Sequence, residues 1–185
     1  MPKKLLVLLA LAGLATACHK DNDEPTIDFG PNNGFTMRTG NNTPGAQIDP
    51  TDWTTDPSWN ATEQALFAKL NLPLTAPQLP AGTWETTAYA NPSNRDNGCS
   101  FMVTPNPRST VLPTGTTRLS MVLVNAKYQV ELATDHELTA NSLLLSIRLD
   151  PIKYSPPTLY RLYYIIYEPG KQVYYRGHGD VKFEK

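Results

Sequence analysis

The sequence predicts an all-β protein: an antiparallel, immunoglobulin-like β-sandwich of about seven strands behind one short helix. Three observations lead there. After Gly82 the apolar period changes from that of a helix to two residues. Seven such stretches fall between Thr83 and Phe183, with turn-forming residues between them. Several alternate strictly, so each has one buried and one wet face, the habit of antiparallel strands.

Taken in order, the chain opens with Lys3 and Lys4, an almost unbroken apolar run over residues 5–14, the small residues Ala15-Thr16-Ala17, and Cys18. Positive start, apolar middle and small residues at a cut are the layout of a secretory signal peptide. The apolar run is about half of the roughly 20 residues that a membrane-spanning helix needs. A cysteine directly after the small residues resembles a bacterial lipobox, with Ala15 in the place where leucine is usual. The resemblance implies cleavage after residue 17, acylation of Cys18, and a protein anchored to the membrane by lipid. His19-Lys20-Asp21-Asn22-Asp23-Glu24 is similar to the Lys-plus-acidic tract of Bacteroidota-type lipoproteins. That likeness implies the outer membrane and its outer, cell-surface face.

The expected organisation is a signal peptide over 1–17, a lipidated N-terminus and polar tether over 18–58, a short helix with a Pro-rich connector over 59–80, and the sandwich over 81–185. Residues 19–58 are poor in aliphatic side chains and rich in Asn, Asp, Gly, Pro and Thr, which favours turns. Asp49, Asp52 and Asp56 fall close together there but lack the glycine and closing glutamate of an EF-hand, so no metal is assigned. Trp53 and Trp59 bracket them and are expected to pack this segment onto the main domain.

Asn60-Ala61-Thr62-Glu63 has the form of a capping box, predicting a helix over 61–70 that Asn71 and Pro73 stop. Three prolines keep the stretch from Leu72 to Pro80 extended. The strands follow: 83–89 with Trp84, Thr86 and Ala88 on one face, 99–104, and 118–124 with Leu119, Met121 and Leu123 inward. A fourth over 127–133 points Tyr128, Val130 and Leu132 inward after a tight hairpin at Asn125-Ala126. A fifth over 143–149 places Leu143, Leu145, Ile147 and Leu149 on one face. The sixth, 159–167, is apolar on both faces, as in a central strand, and Glu168-Pro169-Gly170-Lys171 turns it into the seventh, 172–183.

Gly82-Thr83-Trp84 resembles the Gly-x-Trp opening of lipocalin-type barrels, which makes a small lipocalin-like barrel the alternative fold. Thr87-Ala88-Tyr89-Ala90-Asn91-Pro92 is similar to the segment opening the sandwich-like sorting domains of some secreted bacterial proteins, a hint of fold only.

Composition limits the function. Lys and Arg number 16 against 17 Asp and Glu, and losing Lys3 and Lys4 with the signal leaves a mildly acidic chain. No basic surface for nucleic acid is implied. Three histidines and two cysteines leave little for a zinc site, and no cofactor is expected. With Cys18 acylated, Cys99 stands alone, on the apolar face of its strand, and is expected to be a buried, inert thiol.

The most site-like stretch is Tyr174-Tyr175-Arg176-Gly177-His178-Gly179-Asp180. Strict alternation places Tyr174, Arg176, His178 and Asp180 on one polar outer face, the candidate binding face, with His178 and Asp180 in reach of each other. A carboxylate beside an imidazole is half of an acid–base pair, and no nucleophile motif completes it. The flanking glycines point to a bulge or to close packing against another backbone. Tyr160, Tyr163, Tyr164, Tyr167, Tyr174 and Tyr175 either pair across strands or form an exposed platform for a glycan or a partner protein. The leading expectation is a lipid-anchored, non-catalytic binding or structural module at the outer surface, with a protein or glycan partner. A lipocalin-like small-ligand carrier stands second, and a hydrolase using His178 and Asp180 third.

Overall fold

The computed structural model describes residues 24–30, 34–79, 83–94, 97–109, 113, 115–140, 142–149 and 158–184. The signal peptide, Cys18 and most of the charged tract after it lie outside these residues, as does Gly82. The described residues form an all-β sandwich with one short helix, α1, at Ala61–Ala65. The strands are β1 (Thr54–Thr55), β2 (Trp84–Tyr89), β3 (Ser93–Asn94), β4 (Cys99–Pro105), β5 (Arg118–Val124), β6 (Val130–Glu137), β7 (Leu143–Ile147), β8 (Thr158–Glu168) and β9 (Gln172–Glu184). The larger sheet runs β1-β9-β8-β5-β6, with β3 also against β9, and the smaller runs β2-β4-β7. Every pairing is antiparallel except β3 with β9. The two sheets stay separate, so the chain is a sandwich and not the alternative barrel.

The space between the sheets is filled. Trp84, Ala88, Phe101 and Val103 of the smaller sheet meet Leu119, Met121, Leu123, Leu162 and Tyr164 of the larger, all buried. These are the residues that alternation assigns inward in β2, β4 and β5. Leu145 and Ile147 of β7 face the same core, while Leu144 between them is 59 % exposed.

A third layer covers the other face of the larger sheet. Ile27, Trp59, Phe67 and Leu74 pack on Val122, Val124, Tyr163, Ile165, Tyr167 and Val173. Burying each such side chain stabilises by about 1.5–3 kcal/mol, which is why β5 and β8 are apolar on both faces. Asn60 caps α1 as the capping box predicts, its Oδ1 accepting from the amides of Thr62 and Glu63 while Glu63 returns to the Asn60 amide. The helix is shorter than 61–70. It gives way to a 3-10 turn at Ala68–Leu70 closed by Asn71 in the left-handed region, which aims the ring of Phe67 at Trp59, 5.2 Å away.

Three expectations are corrected. Within 24–58 the described residues are not a free tether: Ile27 and Phe35 are buried, β1 joins the sheet, and Asp52 and Asp56 bind β9 or its side chains. The tight hairpin at Asn125-Ala126 is a longer loop. Asn125 Oδ1 accepts from the Lys127 and Gln129 amides, Tyr128 takes φ 57°, and a bulge at Leu123/Val124 turns Val130 outward, 52 % exposed. A second bulge lies opposite Ile166/Tyr167 and makes Tyr174 the extra residue of β9. Alternation breaks there. Val173 falls in the third-layer core, and Tyr174 and Tyr175 both join the inter-sheet core beside Trp84.

The outer edge of β9 is bonded along most of its length by pieces from elsewhere. Leu79 donates to Tyr174 O, Gln78 Oε1 accepts from the Arg176 amide, and Asp56 donates to Arg176 O. Trp53 donates to His178 O, and Asp52 Oδ1 accepts from the Asp180 amide. The Asn91 side chain spans the next step, donating to Asp180 O and accepting from the Lys182 amide, before β3 pairs with Phe183 and Glu184.

Candidate functional site

The residues singled out in β9 lie under cover. Tyr174, Arg176 and Asp180 are 6 %, 3 % and 0 % exposed, so they do not form a polar outer face. The cause is the third layer, which closes over this side of the sheet. Tyr174 is separated from the other three by the bulge, and its hydroxyl donates to Glu168. The six tyrosines of the last hairpin are all buried, in ring pairs such as Tyr164 with Tyr175 at 6.1 Å and Trp59 edge-on to Tyr163 at 5.6 Å. They are core and not an exposed platform.

His178 and Asp180 do not pair with each other. Asp180 accepts a bidentate pair from Arg161, Nε to Oδ1 and Nη2 to Oδ2, both 2.7 Å. Burial raises the pKa of Asp180, with Arg161 pulling the other way. Burial works against the Arg161 charge, but its bonds to Asp180 outweigh this and raise its pKa. His178 Nδ1 instead lies 2.7 Å from Asp56 Oδ2. Arg176 Nη2 donates to Pro57 O at 2.5 Å and Nη1 to Leu74 O, so the guanidinium fastens the connector to the sheet. Burial lowers its pKa.

The glycines between these residues are explained by close approach. A Cβ on Gly177 would lie 2.2 Å from Thr54 O, and one on Gly179 2.4 Å from the Trp53 ring. The missing side chain of Gly179 is the space that Trp53 occupies.

His178 and Arg161 line one open cleft of about 430 Å³ with Asp28, Phe29, Asp49 and Thr51. The Thr51 hydroxyl there is held by Asp49 Oδ1 at 2.7 Å. Carboxylate oxygens of Asp49, Asp52 and Asp180 lie within 4.8 Å of one another. Their lone pairs are largely used: Asp52 accepts the amides of Asp180 at 2.7 Å and Thr36 at 2.5 Å, and Asp180 takes Arg161. Burial, then the neighbouring Asp180, pushes Asp52 up to about 7. The cluster thus relieves its charge by protonation and by Arg161, as a structural network does.

A second open cleft, also about 430 Å³, lies where the edges of the two sheets meet. Trp53, Thr54 and Thr55 of the β1 segment form one wall, and residues 84–87 of β2 the other. Arg38 and Asn42, from the turn bonded to Asn91, close the end, and Met102 and Tyr175 complete the lining. Thr86 Oγ1 bridges the walls, 3.1 Å from Trp53 O and 2.8 Å from Tyr164 Oη. Trp53 sits here at φ 60°, a left-handed conformation that costs an L-residue about 1–2 kcal/mol.

The residues around this cleft contain unpaired polar atoms that are closed off from solvent. Among the described residues six buried side-chain polar atoms have no hydrogen-bond partner, and five belong to its lining: Nε of Arg38, Nε1 of Trp53 and of Trp84, Oγ1 of Thr55 and of Thr87. Each such atom costs about 1–3 kcal/mol, and native structures contain few. Sequence reading assigned Trp53 to packing and Trp84 to a core face, and both roles hold. It missed that both border one cleft, because they stand 31 positions apart and come to the same seam only when β1 joins β9.

Scanned against protein-family models, curated proteins and solved structures, the chain matches no family model, no curated protein and no solved structure at a significant level.

Proposed function

We propose that this chain is a lipid-anchored envelope protein whose sandwich is a non-catalytic binding module at the outer bacterial surface, held by acyl chains on Cys18. The cleft between β1 and β2 is its binding site. The observation that carries this is an open cleft of about 430 Å³ at the seam of the two sheets, walled by residues that include five buried polar atoms without partners. Such atoms are expensive where they lie, which marks this wall as one not optimised for stability alone. The filled inter-sheet core favours surface recognition over a carrier's interior cavity. The Arg161–Asp180 and His178–Asp56 pairs favour binding over hydrolysis, since they separate the two residues of the candidate acid–base pair.

The anchoring half is tested by membrane fractionation with protease shaving of whole cells. The intact chain should stay with membranes and be cleaved from outside, and Cys18→Ala should release it. Unchanged fractionation of Cys18→Ala would reject the lipid anchor. The binding half is tested by ligand-induced change in tryptophan emission, since Trp53 and Trp84 flank the cleft.

A further inference from the structure

The open cleft beside Arg161 and His178 differs in kind from the one between β1 and β2, because its polar groups reach solvent. Its floor is the larger sheet, where Arg161 and His178 stand, and its walls come from residues 28–30 and 47–51. Asp28 and Thr51 are exposed, Asp49 is half-buried, and the side chain of His178 is 16 % exposed. Most of the open valences here are acceptors. Asp28 Oδ1 takes the Gly30 amide and Asp49 Oδ1 takes Thr51, so among the described residues Oδ2 of each is unused. The two carboxylates approach from opposite walls: a Cβ on Gly30 would lie 4.0 Å from Asp49 Oδ2. Asp56 holds Nδ1 of His178, which in the neutral ring leaves Nε2 as an acceptor. The donor on offer is Arg161 Nη1, whose guanidinium is already matched to Asp180 and lies over the Phe29 ring. The ground behind the lining is negative as well. Asp52 and Asp180 crowd against Asp49 with one guanidinium among the three, and burial, then the neighbouring carboxylates, push both toward their protonated forms.

These features restrict the ligand. An anion would meet Asp28 and Asp49. A calcium ion asks for about six to eight oxygen ligands, and the carboxylates of Asp52 and Asp180 are already spent on backbone amides and on Arg161. A neutral ligand would leave two carboxylate charges uncompensated. An alkyl ammonium carries one charge and three donors on a single nitrogen, which this set of acceptors suits. The rest of the lining suits its carbon chain: Phe29, Phe35, Pro50 and Ile48, the last 70 % exposed and the most exposed large apolar residue described.

We propose that this cleft binds a small aliphatic amine of the diamine or polyamine class, its ammonium group held by Asp28, Asp49 and His178 and its carbon chain laid on Phe29 and Ile48. The cleft is separate from the one between β1 and β2, so the proposal goes beyond the binding-module reading and does not depend on it. At about 430 Å³ it lies in the range of small-ligand sites. The attraction acts between groups open to solvent, so binding weakens as salt rises.

The test titrates the detergent-solubilised full chain, in amine-free buffer, with putrescine, cadaverine and spermidine, read by calorimetry at low and at high salt. The controls are the diol of the same length as putrescine, succinate, magnesium chloride and a short lysine-rich peptide. At least one amine should bind saturably and more weakly at high salt, while the diol and succinate do not bind. Asp28→Asn and Asp49→Asn keep side-chain shape and one acceptor oxygen, and remove one charge each. Each should weaken amine binding about tenfold. Asp28 is exposed, so Asp28→Asn should keep the wild-type melting temperature and serves alone if Asp49→Asn disturbs the fold. Amine binding that these variants leave unchanged would reject this cleft as the site. Equal binding of the diol would reject recognition of the ammonium charge. Binding of magnesium or of the peptide with no amine bound would reject the small amine as ligand, and so would no binding by any probe. None of these outcomes decides the β1/β2 cleft, which has its own test.

Discussion

Asp56 Oδ2 stands 2.7 Å from His178 Nδ1 and equally 2.7 Å from Trp59 Nε1. One carboxylate oxygen therefore joins the third layer to the longest strand of the sandwich. Asp56→Ala removes the acceptor and leaves an imidazole and an indole unpaired in a mostly buried place. The expected loss is about 1–3 kcal/mol, read as a lower denaturant midpoint, with Asp56→Asn losing less. A midpoint unchanged by Asp56→Ala would mean that apolar packing alone holds the layer.

Gly179 tests the seat of Trp53. With a Cβ 2.4 Å from the indole, Gly179→Ala must displace the ring or bend β9. Overpacking of this kind costs about 1–3 kcal/mol. Tryptophan emission should shift to the red as the ring moves toward water. Wild-type emission and stability in this variant would show that the ring has room to spare.

Asp52 makes stability depend on pH. Its unfolded carboxyl ionises near the ordinary 3.8, while the buried one holds its proton to about 7. The folded state thus binds more protons in between, and stability falls as pH rises from about 4 to about 7. At about 1.4 kcal/mol per unit, the loss from this group is on the order of 4 kcal/mol at most. Asp180, raised in the same direction by burial, adds to it. Urea unfolding at about pH 5 and about pH 7.5 should give a smaller difference for Asp52→Asn than for the wild type. Equal differences would place the slope elsewhere.

Cys99 is 1 % exposed, and burial pushes its thiol up to about 12. Peptide mapping after iodoacetamide treatment should find Cys99 unmodified in the native protein and alkylated in denaturant. Native alkylation would indicate local opening of β4.

Much of the fold was legible because local pattern and burial agree. Leu143, Leu145 and Ile147 face the core with Leu144 and Ser146 turned out, and the Asn60–Glu63 capping box starts α1 where it should. What was hidden depends on distant partners. Residues 34–58 read as a tether because few of them are apolar, yet they are held by backbone amides and by carboxylates such as Asp52. No local pattern announces the bulge at Tyr174, which reverses the facing of Val173 and separates Tyr174 from Arg176. The His178 partner was misread for a related reason. Two residues along a strand looked close, but the third layer supplied Asp56 to one and β8 supplied Arg161 to the other.

The edge of β9 carries a last consequence. Thirteen residues long, it would be a template for adding strands from other molecules if left bare. Two strands of only two residues each, together with Gln78, Leu79, Asp52, Asp56 and the Asn91 amide, occupy it instead. Much of that guard comes from residues 52–56, ahead of the strands that alternation reveals. A chain shortened past Thr55 would keep most inter-sheet contacts and lose part of this guard, so light scattering should show it self-associating more than the intact chain. For a chain anchored as proposed the pressure would be greater, because anchoring crowds copies into two dimensions. The segment that reads as a passive leash is then what keeps neighbouring molecules from joining sheet to sheet.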